Sequence, residues 1–190
     1  MLYRMSFVQI YNNDDADDIY QYLLGKQVEY HKPYKRYNKM VKVPRGQASY
    51  TIDSSIHYDY GVSGGSPINE VMDDRMKEIT RTVHEALNTN YNTILMNVYI
   101  NGKDSIGLHH DKETGWVEGT GFATLSFGAE RTFLLECDKS KAKTKLFHLH
   151  GSVIEMPYPM NHHHKHGVPP CSAKECRISL TFREIKPFSS

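Results

Sequence analysis

The chain has 190 residues, a formal net charge of +1, and 39% hydrophobic and 24% charged residues. This length suits one domain with a single substantial core, and the composition is that of a soluble globular protein. No apolar run approaches the roughly 20 residues that cross a bilayer, and the N-terminus lacks the features of a signal peptide. These properties argue against a membrane or secreted protein.

The cysteines Cys137, Cys171 and Cys176 are odd in number and lack the spacing of a disulfide framework. This usage is typical of a reducing compartment. We therefore expect an intracellular protein, in the nucleus or cytoplasm, that is monomeric and not bound to membranes. The 11 histidines raise the question of a metal site.

A basic segment lies at residues 26–45, where seven Lys or Arg residues stand against one acid, Glu29. Three tyrosines are interleaved with these charges, namely Tyr30, Tyr34 and Tyr37. Such a segment can neutralise phosphates and stack on bases, which indicates nucleic acid as a partner. A solvated surface loop is the alternative.

Two helices are predicted in the first half of the chain. Asn13 or Asp14 can cap a short helix that ends at a glycine. A second helix is predicted with Ser66 as N-cap and Pro67 at its first position, and its apolar repeat continues to about Asn88. The apolar face of this helix should pack on a flat surface.

Beyond residue 90 the hydrophobic period becomes two, which is typical of strands. The predicted strands cover residues 93–100, 122–127, 131–136, 145–150, 152–156 and 176–184. Short strands between turns favour a mainly β protein with flanking helices (α+β), in which a sandwich or jelly roll has its helices packed on one sheet.

The last predicted strand has two chemically different faces. Its apolar face carries Ile178, Leu180 and Phe182, and its polar face carries Arg177, Ser179, Thr181 and Arg183. Two arginines on one face of an inner strand require anionic or polar partners. The pattern therefore indicates either a polar interior that receives an anion or a solvated outer face.

A possible metal motif follows the first of these strands. His109 and Asp111 are two residues apart, so in an extended segment both can reach one side. With one distant histidine they would form the two-histidine, one-carboxylate triad of non-haem Fe(II) oxygenases. The pair alone is a weak signal, and its weight comes from its surroundings.

Those surroundings resemble the AlkB family, most closely its duplex-DNA-repairing vertebrate members. The stretches that carry the resemblance, in order, are residues 44–50, 97–99, 104–111, 123–133, 150–156 and 177–183. The resemblance covers roughly residues 43–185. It departs from the family pattern at Ser179, where the family has Asn, and at Lys112, where an acid is common.

The resemblance implies a double-stranded β-helix (jelly roll) in one AlkB-like domain over residues 1–190. Residues 1–66 would form the N-terminal helix and nucleotide-recognition lid, 67–90 the supporting helix, and 91–186 the catalytic core. It also implies an Fe(II)/2-oxoglutarate-dependent dioxygenase with O2 as the second co-substrate.

The resemblance implies a role for particular residues. Fe(II) would bind His109, Asp111 and His166, because the residues after His166 fit the family better than those after His162, His163 or His164. The residues implied for 2-oxoglutarate are Asn97, Tyr99, Arg177, Ser179 and Arg183. His110 is expected to point away from the metal.

The implied reaction removes N-alkyl groups from bases such as 1-methyladenine and 3-methylcytosine in DNA or RNA, coupled to decarboxylation of 2-oxoglutarate to succinate. The base must leave its stack to reach the metal. The residues implied for substrate binding are Tyr37, Arg45, Tyr58, Tyr60 and Glu113. Packing residues in a strand or loop are the alternative reading of the tyrosines.

Three other functions are alternatives to this one. A related oxygenase could act on a protein or small molecule, but the match at residues 44–50 and the basic segment argue against it. A non-catalytic nucleic-acid-binding module would not need a full ligand set. A zinc site at residues 162–166 would not need an arginine for a keto acid.

Overall fold

The computed structural model describes residues 5–30, 33–36, 38–56 and 69–187, with the backbone alone for residues 33–36 and 41. In this part of the chain two helices occur, α1 (Asn13–Leu24) and α2 (Asp74–Leu87), and a short 3-10 helix spans Met160–His162. The strands there are β1 (Ser6–Gln9), β2 (Glu29–Tyr30), β3 (Pro33–Arg36), β4 (Lys39–Lys42), β5 (Gly46–Thr51), β6 (Asn69–Val71), β7 (Thr93–Tyr99), β8 (Ile106–His109), β9 (Phe122–Gly128), β10 (Arg131–Cys137), β11 (Lys143–His148), β12 (Ser152–Met156), β13 (His164–Val168) and β14 (Arg177–Arg183).

Most of the strands belong to two sheets. The major sheet has the order β1-β12-β9-β14-β7-β5-β2, and β6 pairs with β5. The minor sheet has the order β11-β10-β13-β8. A cluster of buried side chains joins Phe122 and Ile154 of the major sheet to Phe133 and Leu135 of the minor sheet. The predicted jelly roll, mainly β with flanking helices, is confirmed.

Both helices pack on the major sheet. Ala16, Ile19 and Leu23 of α1 share one buried cluster with Met76, Ile79 and Val83 of α2 and with apolar residues of β5, β7, β9, β12 and β14. Each of the larger side chains in this cluster contributes about 1.5–3 kcal/mol when it is removed from water. None of the helices in the described residues is long and apolar enough to cross a membrane.

The predicted start of the first helix is one or two residues late. Asn12 is the N-cap, because its backbone is extended (φ −68°, ψ 172°) and its side chain accepts a hydrogen bond from the Asp15 amide at 2.9 Å. Asn13 and Asp14 already lie within the helix. Residues with helical dihedrals cannot cap the helix that contains them.

The predicted start of the second helix is wrong by more than one turn. Ser66 and Pro67 lie outside the described residues, and Asn69–Val71 is a strand parallel to β5. The helix begins at Asp74 with Asp73 as N-cap, whose side chain accepts from the Met76 amide at 2.9 Å. Its C-cap is Asn88 in the left-handed conformation (φ 53°), close to the predicted end.

The six predicted strands all occur, and the one over residues 152–156 has the predicted bounds. Strands β1 to β6 were not predicted, and neither were β8 and β13. Both are short and rich in His, Gly and Lys, which have weak strand propensity, and each is held by pairing with distant segments. These two strands carry the histidines of the candidate site.

The basic segment contains an antiparallel hairpin. Strands β3 and β4 pair from Pro33↔Lys42 to Arg36↔Lys39, and Asn38 in the connection has a φ of 60°. The side chains of Lys39, Met40 and Lys42 are exposed, Met40 to 69%. The basic segment ends directly before β5, which lies beside β7 in the major sheet.

Candidate active site

Three potential metal ligands converge between the two sheets. His109 ends β8, Asp111 follows it, and His166 lies opposite His109 in β13. Their ligand atoms all lie within 4.8 Å of one another. Asp111 Oδ1 is 3.2 Å from His109 Nε2 and 3.6 Å from His166 Nε2. The pairing of β8 with β13 therefore brings together two histidines that are 57 positions apart in the sequence.

Asp111 is held as a carboxylate. Burial would raise its pKa, but the Arg183 guanidinium and the two imidazoles lower that pKa well below the ordinary value. Arg183 donates to Asp111 Oδ2 through Nε at 3.1 Å and through Nη2 at 2.5 Å. The guanidinium thus occupies one carboxylate oxygen and leaves Oδ1 directed at the two histidines.

Each histidine of the trio has a defined setting. His109 Nδ1 donates to the Gly107 carbonyl at 2.9 Å, which leaves Nε2 without a proton and available as a ligand. The His166 ring stacks on Phe133 (centroids 5.7 Å apart, interplanar angle 16°) and contacts Phe122. Burial lowers the pKa of His166, which favours the neutral imidazole that a metal requires.

This donor set fits a divalent iron ion. Two imidazole nitrogens and one carboxylate oxygen converge on one point, and imidazole with carboxylate suits Fe(II). Such a trio leaves coordination positions for a chelating co-substrate and for O2. The residues His109, Asp111 and His166 therefore satisfy the donor chemistry that was predicted for them.

The residues predicted for 2-oxoglutarate lie in adjacent rows of the major sheet. Arg177 pairs with Tyr99, and Ser179 pairs with Asn97, across β14 and β7. Arg183 pairs with Thr93 at the other end of the same strands. All of these residues are buried. The polar face of β14 thus points inward. Of the two alternatives that the sequence allowed, the polar interior is correct and the solvated outer face is wrong.

One cavity of about 270 Å³ joins these two groups of residues. Its lining includes all three candidate ligands and all five residues predicted for 2-oxoglutarate. Thr181, on the same face of β14, lines it between Ser179 and Arg183. The cavity therefore has a metal-ligating end, where Arg183 binds Asp111, and an end that carries the buried guanidinium of Arg177.

Arg45 also lines this cavity rather than an outer surface. Its Nε donates to Asn97 Oδ1 at 2.7 Å, and its Nη1 is 3.4 Å from the Ser105 carbonyl oxygen. Gln47 donates to the same Asn97 oxygen at 3.0 Å. Asn97 is thereby oriented by two donors, a function for Gln47 that the sequence did not reveal.

Glu113 is held by two neighbours beside the site. Asn161 Nδ2 donates to its Oε1 at 2.8 Å, and His162 Nε2 lies 2.6 Å from its Oε2. Asn161 also exchanges two hydrogen bonds of 3.0 Å with the backbone of Asp111. One side-chain amide therefore fixes the segment that connects a metal ligand to a predicted substrate-binding residue.

The other histidines lie apart from the trio. His110 donates to the Asn161 carbonyl and lies 3.1 Å from Asp138. It lines the cavity but does not belong to the group of described residues that could hold a metal. Among the described residues, the group that can hold a metal includes neither His162 nor His163 nor His164. Tyr37, Tyr58 and Tyr60 lie outside the described residues, so their roles remain predictions.

Two further residues at the site, Ser126 and His148, were not predicted from the sequence. Arg177 Nε donates to Ser126 Oγ at 2.9 Å, and its Nη2 lies 3.2 Å from His148 Nδ1. Ser126 belongs to β9, the neighbour of β14, and period-two alternation would have placed it on the inner face. His148 belongs to the minor sheet, and nothing in the sequence indicates that it reaches an arginine of the major sheet.

The fold and the ligand trio define a class of enzyme. The family model described as "2OG-Fe(II) oxygenase superfamily" matches residues 5–183. The chain belongs to this superfamily: it is an Fe(II)- and 2-oxoglutarate-dependent dioxygenase.

Relatives place it more narrowly, among the AlkB-type members. The chain is 32% identical to the DNA oxidative demethylase ALKBH2 of Bos taurus over 94% of its own length and 67% of the relative's. It is 31% identical to ALKBH2 of Homo sapiens over 95% of its length and 72% of the relative's. Human alkB homolog 3, an alpha-ketoglutarate-dependent dioxygenase, is 29% identical over 59% of the chain and 43% of that protein.

Solved structures agree on the fold. The structure of OsALKBH1 superposes with a TM-score of 0.66 at 17% identity, covering 97% of this chain and 100% of that one. A 2OG-Fe(II) oxygenase family oxidoreductase from Burkholderia pseudomallei gives a TM-score of 0.61 at 13% identity, covering 94% and 84% of the two chains. At these identities the likeness concerns the fold alone.

Proposed function

We propose that this enzyme removes N-linked alkyl groups from nucleobases in DNA or RNA, with 1-methyladenine and 3-methylcytosine as substrates. The observation that carries the proposal is that one cavity is lined both by the ligand trio and by the buried Arg177. The ALKBH2 relatives, whose names describe DNA oxidative demethylases, support the choice of substrate class.

Each end of the cavity would have its own task. His109, Asp111 and His166 would hold Fe(II), at which O2 would be the oxidant. 2-Oxoglutarate bound beside the metal would give up electrons to O2 as it is decarboxylated to succinate. Arg177 would receive the distal carboxylate of the co-substrate, because a guanidinium binds a carboxylate better than an ammonium does. Asn97, Tyr99 and Ser179 would line the path between the two ends. Arg183 would keep Asp111 ionised and oriented.

Glu113 would recognise the polar edge of the flipped base. Its carboxylate is already oriented by Asn161 and His162, so little ordering is left for the moment of binding. Pockets for small molecules commonly measure about 300–1,000 Å³, and the cavity of about 270 Å³ lies just below that range. It suits the co-substrate, and a base would need further walls, for which Tyr58 and Tyr60 are our candidates.

The experiment that tests this function is a screen of methylated oligonucleotides by mass spectrometry. Single- and double-stranded DNA and RNA carrying 1-methyladenine or 3-methylcytosine are incubated with enzyme, Fe(II) and 2-oxoglutarate. Loss of 14 mass units per base, with matching succinate release, is the expected result for a demethylation. Uncoupled succinate release with no change in any oligonucleotide would instead favour a protein or small-molecule substrate.

A further inference from the structure

Arg177 is a fully buried guanidinium that lines the cavity, with 1% of its surface exposed. Its Nε donates to the Ser126 hydroxyl and its Nη2 contacts His148, while its Nη1 is buried without a hydrogen-bond partner among the described residues. The Tyr99 ring lies 5.1 Å from its Cζ. Burial lowers the pKa of Arg177, and Tyr99 acts against that shift. No carboxylate pairs with it within the described part of the chain.

His148 is the neighbour that completes this arrangement. It ends β11, is 0% exposed, and its Nε2 lies 3.0 Å from the Ser152 carbonyl oxygen. A carbonyl can only accept, so Nε2 carries the proton and Nδ1 has a free lone pair. Nδ1 is the atom that lies 3.2 Å from Arg177 Nη2, so the arginine donates to the imidazole.

The surroundings of His148 keep this imidazole neutral. Burial, followed by the charge of Arg177, lowers its pKa well below the ordinary value. Its register partner on β10 is a second buried arginine, Arg131, which donates to the carbonyls of Asp104 and Pro169. The ring also meets Phe133 of β10 edge-on. Cations and uncharged groups thus surround His148 in the described residues.

We propose that His148 is a positioning residue for the co-substrate: it accepts one N–H of Arg177 without neutralising the guanidinium, and so presents the remaining charge and the free Nη1 to a dicarboxylate. This inference rests on the proposed role of Arg177 in binding 2-oxoglutarate. It adds a residue from the opposite sheet to the co-substrate site.

The choice of a neutral acceptor has a physical reason. A buried aspartate or glutamate in place of His148 would form an ion pair with Arg177 and compete with the incoming carboxylate. An apolar residue would leave Nη2 without an acceptor and free the guanidinium to turn. A neutral imidazole, fixed by the Ser152 carbonyl, holds the guanidinium plane and leaves its charge uncompensated.

The test compares three substitutions at this position. His148→Asn keeps an acceptor oxygen on the atom that corresponds to Nδ1. His148→Gln moves its amide one bond further out, towards the place of Nε2. His148→Leu removes the acceptor. His84→Asn serves as the matched control, because His84 lies on α2 and binds the Tyr91 carbonyl, away from the cavity.

Two measurements are made on each variant. Calorimetric titration of the Mn(II)-loaded protein with 2-oxoglutarate gives the dissociation constant without turnover. Initial rates give KM for 2-oxoglutarate and kcat separately. We expect His148→Leu to raise both the dissociation constant and KM about tenfold with little change in kcat, as is typical when an outer-shell partner is lost. His148→Asn should stay within about threefold of the wild type, and His148→Gln should resemble His148→Leu.

The outcomes separate this inference from the proposed function. Wild-type affinity in His148→Leu would overturn the role of His148 while the proposed function stands. If His148→Leu does not fold, equal affinities of His148→Asn and His148→Gln would overturn it as well. A wild-type protein that does not bind 2-oxoglutarate would defeat the proposed function, and this inference with it.

Discussion

Asp111 serves two partners at once, and this shapes how its loss can be interpreted. One of its oxygens faces the histidines and the other accepts from the buried Arg183. Removing the carboxylate would therefore leave a buried guanidinium without its anionic partner, a change that typically costs about 3–5 kcal/mol. An inactive Asp111→Ala variant could be destabilised as well as unable to bind metal.

His166→Ala is the cleaner substitution for testing the metal site. Two remaining protein ligands hold a divalent ion poorly, so Fe(II)-dependent turnover should be abolished while the fold survives. Succinate release measures the first effect and circular dichroism the second. His164→Ala is the matched control on the same strand and should keep its activity. Full activity in His166→Ala with loss in His164→Ala would show that the wrong histidine was chosen.

Arg177→Lys tests the other end of the cavity. Lysine keeps the charge but loses the planar fork and cannot use Ser126, His148 and a carboxylate together. The apparent affinity for 2-oxoglutarate should fall more than tenfold, in line with about 1.5–3 kcal/mol for a charge-assisted hydrogen bond. KM for 2-oxoglutarate is the measurement, and an unchanged value would assign this arginine another function.

The sequence was most informative where burial imposes a strict period. Alternation along residues 176–184 placed both arginines on one face, and the structure turns that face into the cavity. It was least informative where a contact depends on segments far apart in the chain. The contact between His148 and Arg177 joins two sheets, and no feature of the sequence near either residue predicts this contact.

At the level of elements, local signals failed where a strand competed with a helix. Ser66 and Pro67 form a valid helix start, but residues 69–71 pair with β5 and the helix begins only at Asp74. Secondary-structure propensity cannot predict this strand pairing, because the pairing depends on the tertiary structure. The local sequence does not predict strands β8 and β13 for the same reason, although the metal motif indicates His109 and His166 within them.

The N-cap of α2 predicts a pH-dependent contribution to stability. Burial acts to raise the pKa of Asp73, but hydrogen bonds from Lys26, Tyr22 and the Met76 amide lower it to about 2. Because the pKa of Asp73 is lower in the folded protein, its carboxylate stabilises the fold fully at pH values above its unfolded pKa of about 3.8. This stabilisation is lost as the pH falls towards the folded pKa of about 2.

Asp73→Ala should lower the free energy of unfolding at pH 7 by about 1 kcal/mol, the usual effect of losing an N-cap. Asp73→Asn keeps a capping oxygen and loses the ion pair with Lys26, so its effect should be smaller. Urea denaturation between pH 7 and pH 3 measures both. A difference between wild type and Asp73→Ala that does not shrink below pH 4 would contradict the assignment.

On the scale of the whole molecule, the net charge of +1 conceals an uneven distribution. Of the seven bases at residues 26–45, Lys26 forms an ion pair with Asp73 and Arg45 donates to Asn97 inside the cavity. Four of the other five belong to β3 and β4 of the hairpin, and the fifth, Lys32, precedes β3 in the sequence. This hairpin is therefore the part of the basic segment that we expect to meet phosphates.

Neutralising three bases of the hairpin should reveal such contacts. For the triple variant Lys35→Gln, Arg36→Gln, Lys39→Gln, the slope of log affinity against log salt should flatten by up to about 2.7 on duplex, at about 0.9 per phosphate. Fluorescence anisotropy at several salt concentrations measures the slope. Lys77→Gln with Arg81→Gln, exposed on α2, is the control and should leave it unchanged. An unaltered slope in the triple variant would reduce the hairpin to a solvated loop.

Substitution of Tyr37 tests the expected preference for duplex over single-stranded substrates. It follows β3 in the sequence and belongs to the basic segment, where a wedge could fill the gap that a flipped base leaves. Extrusion from a duplex costs a few kcal/mol, whereas a single strand needs little unstacking. Tyr37→Ala should therefore lose activity on methylated duplex and retain it on the matching single strand. Rates on both forms, with a free methylated nucleoside as a check on the intact metal site, make the comparison. Equal rates for Tyr37→Ala and wild type on both forms would exclude the wedge.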